Sequence, residues 1–102
     1  MRFLPLEKLI NLTEGYRRTV KVDALEVLLI HESGQLYIIQ SRCPHRGQSL
    51  EAGEIEGNTL YCPWHNFGFD LGNGAHEAGL CEGIKVYQPV YENNLVGILV
   101  DD

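Results

Sequence analysis

Cys43-Pro44-His45-Arg46-Gly47 and Cys62-Pro63-Trp64-His65 are the two stretches that decide how this chain folds. Each stretch places one thiol and one imidazole close together along the backbone. If the chain brings the two stretches together, two sulfur and two nitrogen ligands meet at one point. Thiolate and imidazole are ligands that transition metals take in proteins, so the pattern predicts a metal centre.

The order of the four residues narrows the choice of metal. A zinc finger usually draws two cysteines from one short segment and two histidines from another. Here each segment supplies one of each, which suits a two-iron, two-sulfide (2Fe-2S) cluster with both thiolates on one iron and both imidazoles on the other. Two other interpretations stay open: a mononuclear zinc site, and ordinary packing of these residues without metal.

The segments Cys43–Gly47 and Cys62–Asp70 together resemble the signature of the Rieske iron–sulfur family, specifically its small soluble ferredoxins. The C-x-H and C-x-x-H elements, their separation, the glycines and the Phe-Asp pair at the end all agree, and the resemblance extends over nearly the whole chain. It implies one Rieske-type 2Fe-2S cluster per chain, with the histidine-ligated iron taking the electron. The implied ligands are Cys43, His45, Cys62 and His65.

Strand patterns dominate the first half of the chain. Leu25–His31 and Gln35–Ser41 are rich in branched and aromatic residues, and Glu32-Ser33-Gly34 between them is typical of a hairpin turn. Thr19–Val22 is predicted to be a further strand.

A second hairpin is predicted at the end of the chain. One strand is expected from Ile84 to Tyr91, a turn at Glu92-Asn93-Asn94, and a return strand at Leu95–Val100. Pro89 indicates a sheet edge or a bulge, because proline has no N–H to donate. Near the start of the chain, Leu6–Leu9 is expected to form at most a single helical turn.

Glycine and proline are concentrated between about residues 42 and 76. This stretch is predicted to be a loop-rich cluster-binding subdomain, mounted on a β base of residues 1–41 and 77–102. With 102 residues the chain fits one domain. The resemblance implies the same all-β architecture, a Rieske-like antiparallel β sandwich or partial barrel with a smaller subdomain at one end.

Charge and hydropathy restrict the environment and the partners. The net charge of −6 gives no electrostatic basis for binding nucleic acid. The longest apolar run, Ala24–Ile30, is interrupted by Glu26, and Met1–Pro5 lacks the apolar core of a signal peptide. We therefore expect a cytoplasmic protein without a membrane span. Cys81 has no partner for an internal disulfide and is expected to pack as a small apolar residue.

Residues near the ligands predict the reduction potential. Gln48 and Trp64 stand where high-potential Rieske proteins, as the resemblance implies, carry two further cysteines joined as a disulfide. Phe67 and Phe69 stand where those proteins present hydroxyls to the cluster sulfurs. Because such hydrogen bonds stabilise the reduced cluster, we predict a potential towards the lower end of the Rieske range, about −150 to +300 mV. Four apolar residues are also expected to cover the cluster: Pro44, Pro63, Trp64 and Phe67. For Trp64 and Phe67, ordinary packing of the subdomain stays open as the alternative.

Other polar residues receive simpler interpretations. His31 and His76 lack ligand spacing to the two pairs and are expected at the surface. Asp70 is predicted to fix its own loop. Three glutamates that follow the first ligand segment form either a solvated acidic loop or a docking rim: Glu51, Glu54 and Glu56.

Three functions remain open. The first is a monomeric electron carrier, not itself an enzyme, which passes single electrons from a flavin-dependent reductase to a terminal oxygenase of the aromatic-ring dioxygenase type. The second is a small Rieske-like subunit of an assimilatory nitrite reductase, ranked lower because many such subunits have lost the ligands whereas all four are present here. The third is a zinc-stabilised interaction module.

Overall fold

The computed structural model describes residues 1–44, 47–64, 67–77, 79 and 82–101, and these residues form antiparallel strands with one 3-10 turn at Leu9–Asn11. The predicted all-β fold is therefore confirmed. The strands are β1 (Arg2–Lys8), β2 (Arg17–Val22), β3 (Leu25–Glu32), β4 (Gln35–Gln40), β5 (Glu54–Glu56), β6 (Thr59–Tyr61), β7 (Gly68–Asp70), β8 (Val86–Tyr87), β9 (Val90–Glu92) and β10 (Leu95–Val100).

A four-stranded sheet in the order β2-β3-β4-β8 contains the first predicted hairpin. β3 and β4 pair in register up to Glu32 opposite Gln35. The two residues between them, Ser33 and Gly34, have φ values of 53° and 75°. Two successive positive φ values are typical of the tight turn whose twist matches that of the flanking strands. The local sequence therefore sets this register.

A three-stranded sheet in the order β1-β10-β9 joins the start of the described chain to its end. β1 pairs with β10 from Arg2 opposite Val100 onwards. The prediction of a helical turn at Leu6–Leu9 was wrong for most of that segment, because β1 continues to Lys8 and the turn begins only at Leu9. The strand is stabilised by a distant partner, which local propensity does not reveal.

The strand predicted from Ile84 to Tyr91 is in fact two strands in two sheets. β8 pairs with β4 in the four-stranded sheet, whereas β9 pairs with β10 in the three-stranded sheet. The interruption falls at Gln88-Pro89. Proline cannot donate a ladder hydrogen bond, so the chain leaves one sheet there and enters the other.

A third sheet, in the order β5-β6-β7, lies between β4 and β8 along the chain. Its three strands are only three residues long each. Tyr61 lies opposite Gly68, so the connection between β6 and β7 leaves and re-enters the sheet at adjacent positions. This connection contains the second predicted ligand segment.

The central strand β3 separates two apolar cores. Val27 and Leu29 belong to one buried cluster, which includes residues of β1 and β10. Leu28 and Ile30 belong to the other, which includes residues of the third sheet and both predicted cysteine ligands. Because successive side chains of a strand point to opposite faces, this strand is buried on both faces, which accounts for its nearly continuous apolar sequence. The two predicted cysteine ligands therefore pack on one face of the four-stranded sheet.

Within the described ranges, no helix is long and apolar enough to cross a membrane.

Candidate metal centre

The first ligand segment is a tight loop closed by backbone hydrogen bonds. The Cys43 N–H donates to the Gln48 carbonyl at 2.8 Å, and the Gly47 N–H donates to the Cys43 carbonyl at 2.7 Å. Gly47 has φ +73°, a conformation that glycine adopts at little cost. The guanidinium of Arg42 also donates to the Gly47 carbonyl at 3.0 Å. These contacts fix the backbone of Cys43 and of the residues that close the loop, Gly47 and Gln48.

The second ligand segment is the connection between β6 and β7. Cys62 directly follows β6, and its N–H donates to the carbonyl of Phe67 at 2.8 Å. Phe67 in turn directly precedes β7. The hydrogen bond closes a loop of the same kind as the first, with the cysteine at its start.

The two thiols lie in the same buried environment. Cys43 is 1% exposed and Cys62 is 0% exposed, and both belong to one apolar cluster with Leu50, Leu60 and Phe69. They are not joined in a disulfide. Buried thiolates are costly unless a cation neutralises them, and a metal centre supplies that charge. The donor set of this pair therefore fits the thiolate-bound iron of a 2Fe-2S cluster.

The nitrogen half of the predicted site falls outside the described residues. This holds for His45 and His65, and also for Cys81, whose predicted packing stays a prediction. The structure thus places both predicted sulfur ligands in one buried cluster, and it describes the residues that flank the two histidines along the chain.

The aromatic residues of the second loop differ in exposure. Phe67 is half-buried and packs against the cluster of residues that contains the thiols. Trp64 is 64% exposed, so most of its ring faces solvent and does not take part in the core. Pro63 beside it is also exposed. Phe67 packs with the core, so its predicted covering role stays a prediction, whereas Trp64 presents an apolar surface outwards from the loop that begins at Cys62.

Asp70 fixes the turn after β7, as predicted. Its carboxylate accepts hydrogen bonds from the N–H groups of Gly72 at 2.6 Å and Asn73 at 3.2 Å. Short polar side chains commonly hold turns in this way. The role of Asp70 is therefore structural.

An acidic cavity of about 410 Å³ lies beside the second loop and is lined by Glu54, Glu56, Tyr61 and Glu77. The Tyr61 hydroxyl donates to Glu77 at 3.2 Å, and the negative charge of Glu77, followed by burial, raises the pKa of Tyr61. A smaller cavity of about 210 Å³ shares Glu54 and Tyr61 and reaches Cys62. Among the described residues, no set of three or more His, Cys, Asp or Glu side chains is placed to hold a metal ion, and this includes the glutamates of the acidic cavity.

Glu51 belongs to neither the cavity nor a simple solvated loop. Its carboxylate accepts hydrogen bonds from the N–H of Thr19 at 2.9 Å and from the Thr19 hydroxyl at 2.6 Å. This glutamate therefore ties the segment after the first ligand loop to β2.

His76 was predicted at the surface, and this prediction was wrong, because it is only 8% exposed. It forms an antiparallel bridge with Phe69 and so lies alongside β7. The available sequence signal was limited to the turn-forming stretch Gly72-Asn73-Gly74, which indicates that the chain changes direction just before His76. His31, expected at the surface as well, is half-buried on β3.

Comparison with known proteins agrees with this description. The model of the Rieske [2Fe-2S] domain family matches residues 3–88. Apoptosis-inducing factor 3 of Mus musculus and Homo sapiens is 31% identical over 64 residues, which are 63% of this chain and 11% of that protein. The chain therefore spans about a tenth of the length of those first relatives.

Two further relatives match over most of their length. The ferredoxin component of the naphthalene 1,2-dioxygenase/salicylate 5-hydroxylase systems of Ralstonia sp is 33% identical over 84 residues, or 81% of each chain. The solved structure of the Sphingomonas yanoikuyae B1 ferredoxin has a TM-score of 0.81 and 25% identity, over 95% of this chain and 97% of that one. The family match, the shared fold and the two buried thiols lead to one conclusion: this chain belongs to the Rieske [2Fe-2S] domain family.

Proposed function

We propose that this chain is a one-electron carrier whose 2Fe-2S cluster is held by Cys43, His45, Cys62 and His65. The observation that carries the proposal is the burial of Cys43 and Cys62 in one apolar cluster without a disulfide between them. The bound cluster supplies reversible one-electron chemistry, with a potential set by its ligands and surroundings. The two closed loops hold the thiolates in place and keep water away from them.

The relatives of similar length support the choice of partners. The Ralstonia protein is the ferredoxin component of naphthalene 1,2-dioxygenase/salicylate 5-hydroxylase systems, and it matches 81% of this chain. We assign the same kind of role here: the chain takes electrons from a flavin-dependent reductase and delivers them to a terminal oxygenase of the aromatic-ring dioxygenase type. In this role the chain is an electron-transfer component and leaves the catalysis to its partner.

The domain plan and the environment are part of the same proposal. Residues of about 42–76 form the cluster-binding subdomain, and residues 1–41 and 77–102 form the base. The carrier works as a monomer in the cytoplasm, so that the reductase and the oxygenase can use the same face in turn.

Spectroscopy of the purified protein tests the cofactor assignment. We expect about two irons per chain and a Rieske-type EPR signal after reduction with dithionite. Cys62→Ser should abolish the signal, whereas the control Cys81→Ser should keep it. Iron without a Rieske-type signal, or a cluster that survives Cys62→Ser, would contradict the assignment. A colourless protein that contains zinc would identify the interaction module instead.

Reconstitution tests the partners. The reduced protein is mixed with the oxidised oxygenase component of an aromatic-ring dioxygenase, and its reoxidation is followed by visible absorbance. Transfer of one electron per chain supports the proposal. Co-purification with a sirohaem protein, together with no transfer to the oxygenase, would indicate the nitrite reductase subunit.

A further inference from the structure

The backbone of His76 is fixed against β7 of the third sheet. His76 lies opposite Phe69 in an antiparallel bridge. Hydrogen bonds flank the bridge on both sides, from the Asp70 N–H to the Ala75 carbonyl and from the Glu77 N–H to the Gly68 carbonyl, each at 2.9 Å. Side chains directly opposite each other in such a pair lie on the same face of the sheet. The imidazole therefore lies on the buried side with Phe69.

The imidazole of His76 packs against two phenyl rings. Its centroid lies 5.0 Å from that of Phe67 at an interplanar angle of 80°, and 5.6 Å from that of Phe69 at 69°. Both distances fall in the range of favourable edge-to-face contacts, roughly 4.5–7 Å. With an exposure of 8%, His76 makes these contacts largely out of water. The three rings form one aromatic group, which we call the ring triad.

The ring triad is connected to a predicted ligand through the backbone. The carbonyl of Phe67 accepts the hydrogen bond from the N–H of Cys62 at 2.8 Å. A change in the position of the Phe67 ring therefore acts on the same residue whose carbonyl closes the second ligand loop. Phe69 is fully buried and cannot move without disturbing the core, so His76, which packs against Phe69, limits the movement of Phe67 in turn.

We infer that His76 is a positioning residue for the iron–sulfur cluster, which holds Phe67 and thereby the second ligand loop through the ring triad. The inference rests on the proposed function, because it assigns a task to a residue near that centre. It depends on the ring shape of His76 and on the contacts with Phe67 and Phe69.

Three variants of the holoprotein test the inference. His76→Ala removes the ring, His76→Leu keeps apolar volume without a ring, and His76→Phe keeps a ring. For each variant we would measure the EPR spectrum of the reduced cluster, the midpoint potential, and the rate of iron loss to a chelator. His31→Ala is the matched control, since His31 is half-buried on β3 and belongs to neither ligand loop.

We expect His76→Ala and His76→Leu to lose iron roughly tenfold faster, because two edge-to-face contacts are removed, and to show broadened or shifted EPR features. His76→Phe should retain the behaviour of the unchanged protein, as should His31→Ala. If His76→Ala folds with unaltered spectrum, potential and iron retention, the inference is wrong. It is equally wrong if His76→Phe behaves like His76→Ala. If His76→Ala does not fold, the comparison of His76→Leu with His76→Phe decides.

The failure of the inference is distinguishable from that of the proposed function. If the unchanged protein contains no Rieske-type cluster, the proposed function fails before any variant is compared. If the cluster is present and all His76 variants leave it unaltered, only the positioning role is lost.

Discussion

The carboxylate of Glu7 in β1 shows how single residues stabilise this small fold. It accepts hydrogen bonds from the Tyr16 hydroxyl at 2.6 Å, from the Asn11 amide at 2.9 Å and from the Lys8 N–H at 2.7 Å. The hydrogen bond from Tyr16, followed by the other two, lowers the pKa of Glu7 to about 2. Burial, followed by the bond to Glu7, raises the pKa of Tyr16 to about 12.

Glu7→Gln should lower the free energy of unfolding by about 2 kcal/mol at pH 7, because hydrogen bonds to a charged group are lost. The pKa of Glu7 is lower in the folded state, so its stabilisation is present above the ordinary value of 4.5 and is lost as the pH falls towards about 2. Urea unfolding at pH 7 and pH 3 should show a difference between the two proteins that shrinks at pH 3. A difference of equal size at both values would contradict this prediction, and the exposed Glu92→Gln serves as the control.

The midpoint potential is a second property set by single residues. Phe67 and Phe69 supply no hydroxyl near the predicted ligands, and Phe69 is fully buried. We expect voltammetry of the holoprotein to give a value near the lower end of about −150 to +300 mV, because the reduced cluster lacks those hydrogen bonds. A strongly positive midpoint would mean that other donors reach the cluster.

At this scale the ligand spacing was the strongest signal in the sequence. Cys43 and Cys62 were predicted as ligands because a thiol and an imidazole recur in each segment. The two cysteines lie in one buried cluster, and their role as ligands stays a prediction. His76 was misplaced because its burial depends on a bridge to Phe69, and glycines on either side of such a residue indicate a loop and not a pairing. A pattern of isolated residues does not reveal which loop returns onto which strand.

At the scale of elements, local turns were predictable and distant pairings were not. The hairpin of β3 and β4 follows from Ser33-Gly34, and the turn before β10 from Asn93-Asn94, whose φ values are 51° and 65°. β1 was missed because its partner, β10, lies at the far end of the described chain. Nor does a linear pattern reveal that β8 and β9 take partners in different sheets. Pro89 indicated an irregularity at this point, but not that the strands on its two sides join different sheets.

The side chain of Arg17 links two parts of the fold that are far apart along the chain. The guanidinium of Arg17 in β2 donates to the carbonyls of Glu51 at 2.8 Å and Gly53 at 2.5 Å. Both carbonyls belong to the segment between the first ligand loop and β5. Arg17 thus holds that segment against the four-stranded sheet.

Arg17→Met should destabilise the fold by about 2 kcal/mol and accelerate iron loss, because two backbone carbonyls lose a charged donor. Arg18→Met is the matched control: the side chain of Arg18 is 67% exposed and lies 3.8 Å from Glu7, so the expected loss is below about 0.5 kcal/mol. Thermal unfolding and chelator-driven iron release measure both effects. Equal effects of the two variants would show that the link to residues 51 and 53 is unimportant.

At the scale of the whole molecule, the surface around the second ligand loop combines negative charge with an exposed aromatic ring. The acidic cavity lies on one side of this loop, and the chain as a whole carries −6. Trp64 projects from the loop itself. Tryptophan is enriched among the residues that dominate binding energy in protein interfaces. A partner with basic side chains around an apolar centre would complement this surface.

Trp64→Ala should slow electron transfer to the oxygenase component by roughly tenfold or more, because a central aromatic contact is removed, while the EPR spectrum stays unchanged. Tyr91→Ala is the matched control, since Tyr91 is 58% exposed on β9, in a different sheet. Stopped-flow absorbance at several protein concentrations gives the rate constants. A normal rate for Trp64→Ala would contradict this prediction, because the oxygenase component would then dock elsewhere than on the second ligand loop.

β2 lies at the edge of its sheet and carries the cationic residues Arg17, Arg18 and Lys21. The backbone N–H of Thr19 in this strand already donates to the carboxylate of Glu51. An outer strand with clustered cations and an engaged amide is a poor template for a strand from a neighbouring copy. Concentrated solutions of this protein should therefore resist lateral association and fibril growth along that margin.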